Sequence, residues 1–236
     1  VFIYGLCFDK FRNVDIRSGL ADFLRERPPL REAWRKTCEA RREAYPMACE
    51  KMLATDEGLD EQGQKQGEDS VESLLRAGFG EVFPMVAGRE DLNVTAQLQA
   101  HYLRNWVFQI EPSTKRPIIR SRYDLNKEFL RLMIDVAKNE GVTLAFYIIP
   151  LNPLAENPYV AEEYADFKRW AEALTTEASV PFANLESIVP EDEWGEFLGG
   201  PDFKHFKGEG HRITAEALIE TFGPLVRDAS KQRAAR

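Results

Sequence analysis

The sequence predicts an α/β protein, a three-layer sandwich on a mostly parallel sheet with a helical insertion. Two segments of the C-terminal half repeat apolar residues at helical spacing, each is followed by a short apolar run, and a further such run opens the chain. Parallel strands need a crossover between them, and a helix in alternation with strands supplies it. A chain of 236 residues can bury one sizeable core without metals or disulfides. A single domain over 1–236 is therefore expected, with an insertion over 15–120 and an α/β core over 121–225.

Residues 1–8, "VFIYGLCF", read as a strand covered on both faces. So abrupt an apolar start reads as an interior strand, which makes this chain the C-terminal part of something longer, with a leader or anchor upstream. Two helices are expected between Gly19 and Leu53, broken by Pro28-Pro29 and again near Pro46. "ATDEGLDEQGQKQGED", residues 54–69, is acidic and poor in apolar side chains, and reads as an exposed loop. Tyr45, Met47, Phe79, Phe83, Tyr102 and Trp106 in the insertion read as core or docking residues.

Order returns at Tyr123. Leu125, Phe129, Leu132, Met133, Val136 and Ala137 share one face of a helix that Gly141 is placed to end in a left-handed C-cap. "VTLAFYIIP" follows as a strand stopped by Pro150. A second helix over about 160–178 carries Tyr164, Phe167, Trp170, Ala171 and Leu174 on one face, and "VPFANL" is a short strand. In such sheets functional loops gather outside the carboxyl ends of the strands. That rule places the loop after Pro150 and residues 186–210 on the functional edge, with Asn152 lining the pocket or simply forming an Asn-Pro turn.

A formal net charge of −8 argues against nucleic acid as the main partner. The basic run "RERPPLREAWRKTCEARRE" is interleaved with acids and reads as a solvated helical face. Cys7, Cys38 and Cys49 form no CxxC, and each reads as a small packed side chain.

Chemistry concentrates in "GGPDFKHFKGEGHRITAEAL", residues 199–218, which holds two of the three histidines. Asp202 and His205 lie three apart in a segment read as a tightly turning loop. The carboxylate can then accept a hydrogen bond from one imidazole nitrogen and leave the other free, as a general base requires. Chance proximity and a metal site of Asp202, His205 and His211 are the alternatives, and nothing in the spacing selects a metal. His211 reads as structural or wall-forming, at a helix start with Thr214 as N-cap and Glu216 in the first turn.

Here the sequence resembles the C-terminal half of the SGNH (GDSL-like) hydrolase and acyltransferase superfamily, whose sandwich is flavodoxin-like. Its closest likeness is to the extracytoplasmic O-acyltransferase-like branch, which includes the D-alanyl transfer and alginate acetylation proteins. Asp202-Phe203-Lys204-His205, then Gly208, Gly210 and the final helix, match that family's last block. The blocks "YDLNKEFLRLMIDVAKNEGVTLAFYIIPLNP" and "YADFKRWAEALTTEASVPFANLES" precede it in the family's order, over about residues 120–222.

The resemblance implies a Ser-His-Asp apparatus in which Asp202 orients His205 as general base. It implies acyl transfer on an extracellular or cell-envelope glycan, or ester hydrolysis, with no cofactor and no metal. It also implies a periplasmic or extracytoplasmic location, with a cytoplasmic one as runner-up, and a membrane-bound O-acyltransferase partner.

The family's Gly-x-Ser turn after the first strand has no match here. Ser70 in "GEDS" follows a polar loop instead of a strand. Cys7 stands just beyond a strand, and its roles are nucleophile of a Cys-His-Asp triad or buried packing. The expected account is a serine upstream of this chain; its rival is a non-catalytic glycan-binding or assembly protein of the same fold. Asn105 is a further polar candidate that no spacing selects, and "NVT" at 93–95 fits a glycosylation pattern.

Overall fold

Alternating helices and strands build a parallel sheet in the computed structural model, which describes residues 1–12, 27–61, 103, 114–197 and 200–234. The chain divides into two units, Val1–Leu53 with Lys115–Arg236, and Ala54–Thr114. The segment expected as an insertion is thus shared between them. Ser70, Phe79, Phe83, Asn93, Tyr102, Asn105 and Trp106 lie outside the described residues.

In the first unit, β1 (Phe2–Leu6) leads into a short helix α1 (Phe8–Arg12). Helices α2 (Pro28–Arg41) and α3 (Pro46–Glu61) follow, α3 belonging to this unit only as far as Leu53, then α4 (Arg120–Asn139), β2 (Leu144–Ile148), α5 (Ala161–Glu177) and β3 (Phe182–Asn184). A 3-10 turn (Glu191–Glu193), β4 (Trp194–Phe197), β5 (Gly200–Phe206) and α6 (Gly208–Ala234) complete it. Helix α2 ends at Arg41 and α3 begins at Pro46, the interruption expected there, while residues 13–26 ahead of Pro28 lie outside those described; both prolines suit a first turn, since the missing N–H is one that a first turn leaves unpaired anyway. Helix α3 also runs through 54–61, part of the expected loop: Ala54, Glu57, Leu59 and Glu61 favour helix, and one glycine is tolerated.

The sheet order is β1-β2-β3, all parallel, with Phe2 opposite Leu144 and Phe146 opposite Phe182. A separate antiparallel pair, β4-β5, makes this a mixed α/β fold with two sheets among the described residues. Leu144, Phe146 and Ile148 share one core with Leu130, Ile134 and Ala137 of α4 and Tyr164, Phe167, Ala171 and Leu174 of α5. Both crossover helices thus pack on the sheet face that Leu144, Phe146 and Ile148 share.

Strand β1 is not covered throughout. Leu6 is fully buried, but Phe2 and Tyr4 are 50% and 38% exposed, because the helical layer centres on β2. Gly5 is a close-approach position: a Cβ there would stand 2.9 Å from the Tyr147 ring and from Ile149. Helix α4 is buried on two sides instead of one. Leu130 and Ile134 enter the core, while Phe129 meets Trp34 of α2, 6.3 Å between ring centroids.

Polar ties reinforce this second contact. Asn139 Nδ2 donates to Thr37 Oγ1, Arg41 pairs with Asp135 at 3.0 Å, and the Ala48 N–H in the first turn of α3 donates to Glu128. Tyr45 donates to Asp135, and Met47 stays partly exposed. Cys38 and Cys49 are buried thiols beside one another, and burial raises the Cys49 pKa.

Candidate active site

Asp202 and His205 stand on a strand, not in a loop. Trp194-Gly-Glu-Phe and Gly200-Pro-Asp-Phe-Lys-His-Phe pair as β4 and β5, and Trp194 packs edge-on against Phe206. Antiparallel pairing exposes one face and buries the other, so the half-buried aromatics find a partner without a third strand. Helix α6 then begins at Gly208, six residues before the expected cap. Thr214 lies inside it and donates back to the Gly210 carbonyl at 2.8 Å, the usual alternative use of a buried helical threonine. Gly210 lets Phe206 approach, since a Cβ there would fall 2.8 Å from the Phe206 side chain. His211 is exposed and lays its ring on the same Phe206, 4.5 Å between centroids.

The Asp202 carboxylate is an organising acceptor. Its Oδ1 accepts the backbone N–H of Lys204 at 2.9 Å and of His205 at 3.0 Å, and His205 Nδ1 stands 3.0 and 2.9 Å from its two oxygens. A side-chain oxygen bonding N–H groups two and three residues ahead is an Asx-type turn, which bends the strand and fixes the histidine. Burial raises the Asp202 pKa, but the Lys204 N–H and the His205 ring and N–H outweigh it and hold the carboxyl below its ordinary range. An ionised carboxylate only accepts, so Nδ1 carries the proton. The His205 side chain is 73% exposed, and Nε2 makes no hydrogen bond among the described residues.

Asn152, just beyond β2, anchors this strand to the main sheet. Its N–H donates to the Phe203 carbonyl at 3.0 Å, its Nδ2 donates to the Asp202 carbonyl at 2.7 Å, and its Oδ1 accepts from Leu154 N–H. It is 3% exposed, so its amide serves the protein's own backbone more than a ligand. It also lines a cavity of about 300 Å³ with Trp194, Pro201, Glu196 and Lys207, whose walls include neither Asp202 nor His205.

Two further contacts hold β5, and neither is apparent in the sequence. Phe203 meets the Tyr159 ring edge-on at 5.0 Å, and Lys204 Nζ donates to Asp9 at 3.0 Å. Asp9 lies three residues past the end of β1, so β5 closes over the carboxyl ends of β1 and β2. A carboxylate just after an apolar strand was the one signal that could have found it. Cys7 is half-buried, and its thiol lies beside the Tyr159 hydroxyl; no hydrogen bond joins it to His205. The geometry brings together Asp202, His205 and Asn152; Cys7 and His211 make no described hydrogen bond to any of them. Among the described residues no group of three His, Cys, Asp or Glu side chains has the arrangement to hold a metal ion, and no helix is long and apolar enough to cross a membrane. Comparison of the chain with protein-family models, with curated proteins and with solved structures found no match.

Proposed function

We propose that the chain carries the His-Asp half of a serine acyl-transfer site, in an SGNH-like O-acyltransferase or esterase acting on an extracellular or cell-envelope glycan. The observation that carries this reading is the Asp202–His205 pair, with Nδ1 held by the carboxylate and the exposed imidazole keeping Nε2 free of hydrogen bonds among the described residues. Its chemistry follows from that geometry. Nε2 takes the proton of a hydroxyl nucleophile as that oxygen attacks an ester carbonyl, and Asp202 stabilises the imidazolium that forms. The same nitrogen then returns the proton to the leaving alcohol. The nucleophile is a serine outside the described surroundings of His205, and the resemblance supplies the glycan acceptor, the envelope location and a membrane-bound acyltransferase partner.

The test is covalent labelling of the full native gene product by a fluorophosphonate, with the modified residue mapped by mass spectrometry. Labelling is expected at a serine and should slow by a factor of about 10²–10⁴ in His205→Ala. A folded protein that is not labelled, or is labelled equally without His205, overturns the reading. A non-catalytic glycan-binding role is the second reading. It is favoured by the absence, among the described residues, of a hydroxyl side chain hydrogen-bonded to Nε2.

A further inference from the structure

Around Asp9 the charges do not balance. Lys204 Nζ donates to one oxygen at 3.0 Å, while Arg12 Nε stands 3.5 Å from the other, beyond a good hydrogen bond. Arg116 is held near Tyr159, its backbone N–H bonded to the Pro158 carbonyl at 2.8 Å and its backbone bridged to that of Tyr159. Its guanidinium makes no hydrogen bond or ion pair with any described residue, yet its charge acts on Asp9 along with those of Lys204 and Arg12. Lysine and two arginines therefore face a single carboxylate.

Unmet hydrogen-bonding groups gather at the same place. Arg12 Nε, Asp9 Oδ1 and the Tyr159 hydroxyl are buried without a well-formed hydrogen bond: the first two make only a long ion pair with each other, and the hydroxyl has the Cys7 thiol as its neighbour. Tyr159 is 2% exposed, and its hydroxyl lies beside Cys7 and Asp9. Buried donors without acceptors are rare in folded proteins, and those beside an excess of positive charge call for an acceptor that is negatively charged. The side chains of Arg12 and Lys204 remain 12% and 33% exposed, so the cluster is open to solvent.

We propose that Arg12, Arg116, Lys204 and the Tyr159 hydroxyl form a binding site for a small oxyanion, the phosphate or carboxylate group of a ligand. Guanidinium groups match the paired oxygens of either anion, and the phenol adds a third donor. Asp9 keeps the cations converged when no ligand is bound. The position fits ligand capture, since Arg12 lies past the carboxyl end of β1 and Lys204 is the neighbour of His205. The inference does not depend on acyl transfer at His205.

The test is calorimetric titration of the full chain with inorganic phosphate and, separately, with acetate, in a buffer free of other oxyanions. At least one should bind saturably, and the one that saturates at the lower concentration identifies the ligand's group. Arg116→Gln removes no hydrogen bond or ion pair of the guanidinium among the described residues and should weaken binding at least about tenfold, Tyr159→Phe should weaken it while keeping the aromatic core, and Asp9→Asn should tighten it. Absence of saturable binding by both anions, or equal affinity in Arg116→Gln and the parent, overturns the site.

Discussion

Asn152 spends nearly all its hydrogen-bonding capacity on joining two pieces of backbone, one after β2 and one in β5. Asn152→Ala leaves the Asp202 carbonyl and the Leu154 N–H without their partner, and should cost about 1–3 kcal/mol in urea denaturation. The carboxylates behave differently, because their contribution depends on pH. Burial raises the pKa of Asp202 and of Asp9, but N–H donors at the first and cations at the second lower both below the ordinary value of 3.8. A folded-state pKa below the unfolded one means the unfolded chain binds more protons as acid is added. The stability these groups confer is therefore complete above the unfolded carboxylate value of about 4 and is lost as pH falls through the lower folded value. Denaturation midpoints between pH 6 and pH 3 should drop less in Asp202→Asn than in the parent, and identical drops would sink this account. The Asp202–His205 contact was legible in the sequence because it is local, a side chain three residues from its partner. Asp9 with Lys204 was not, because 195 residues separate them and only the fold joins them.

The two long crossover helices end in the same way with different letters. After α4, Gly141 has φ +65°, Val142 N–H reaches the Ala137 carbonyl at 2.8 Å, and Gly141 N–H reaches that of Lys138. After α5 the left-handed position is Ser179, with φ +54°, Val180 N–H bonded to Thr175 and Ser179 N–H to Thr176. Both are Schellman ends, and only glycine takes that conformation without a Cβ penalty. Ser179→Gly should therefore stabilise the protein by about 0.5–1 kcal/mol and Gly141→Ala should destabilise it by about 1 kcal/mol, both read from thermal or chemical unfolding. Glycine made the first end readable in advance; a serine there carries no such signal. The same limit explains the β4–β5 pair. Gly199-Gly200-Pro201 reads as a loop, and alternation over the four residues of β4 is too short to register beside it. Helix α1 was hidden for a related reason: Phe8 and Phe11 sit in an apolar run that begins as a strand, and the change of period takes only one turn.

At the scale of the molecule, the core is aromatic where α1, α5 and the segment before α5 converge. Phe8 lies within 5.5 Å of the rings of Tyr159, Tyr164 and Phe167, and Phe11 meets Phe167 at 4.9 Å. Phe167 is fully buried at the centre, and Phe167→Ala should cost about 3–5 kcal/mol in denaturant titrations, among the largest losses of any single truncation. The parallel order of the main sheet was legible from alternation alone; the division into two units and the two-sided burial of α4 were not, since periodicity shows that a face is buried but not what buries it. One last consequence follows from where His205 sits. A two-stranded ribbon has no third strand to share the work of opening it, so β5 should exchange its amide protons with solvent faster than β2, whose neighbours β1 and β3 lock it on both edges. The proton-carrying pair then rides on the part of the protein that loosens first, and on warming the site should fall silent some degrees before the core melts.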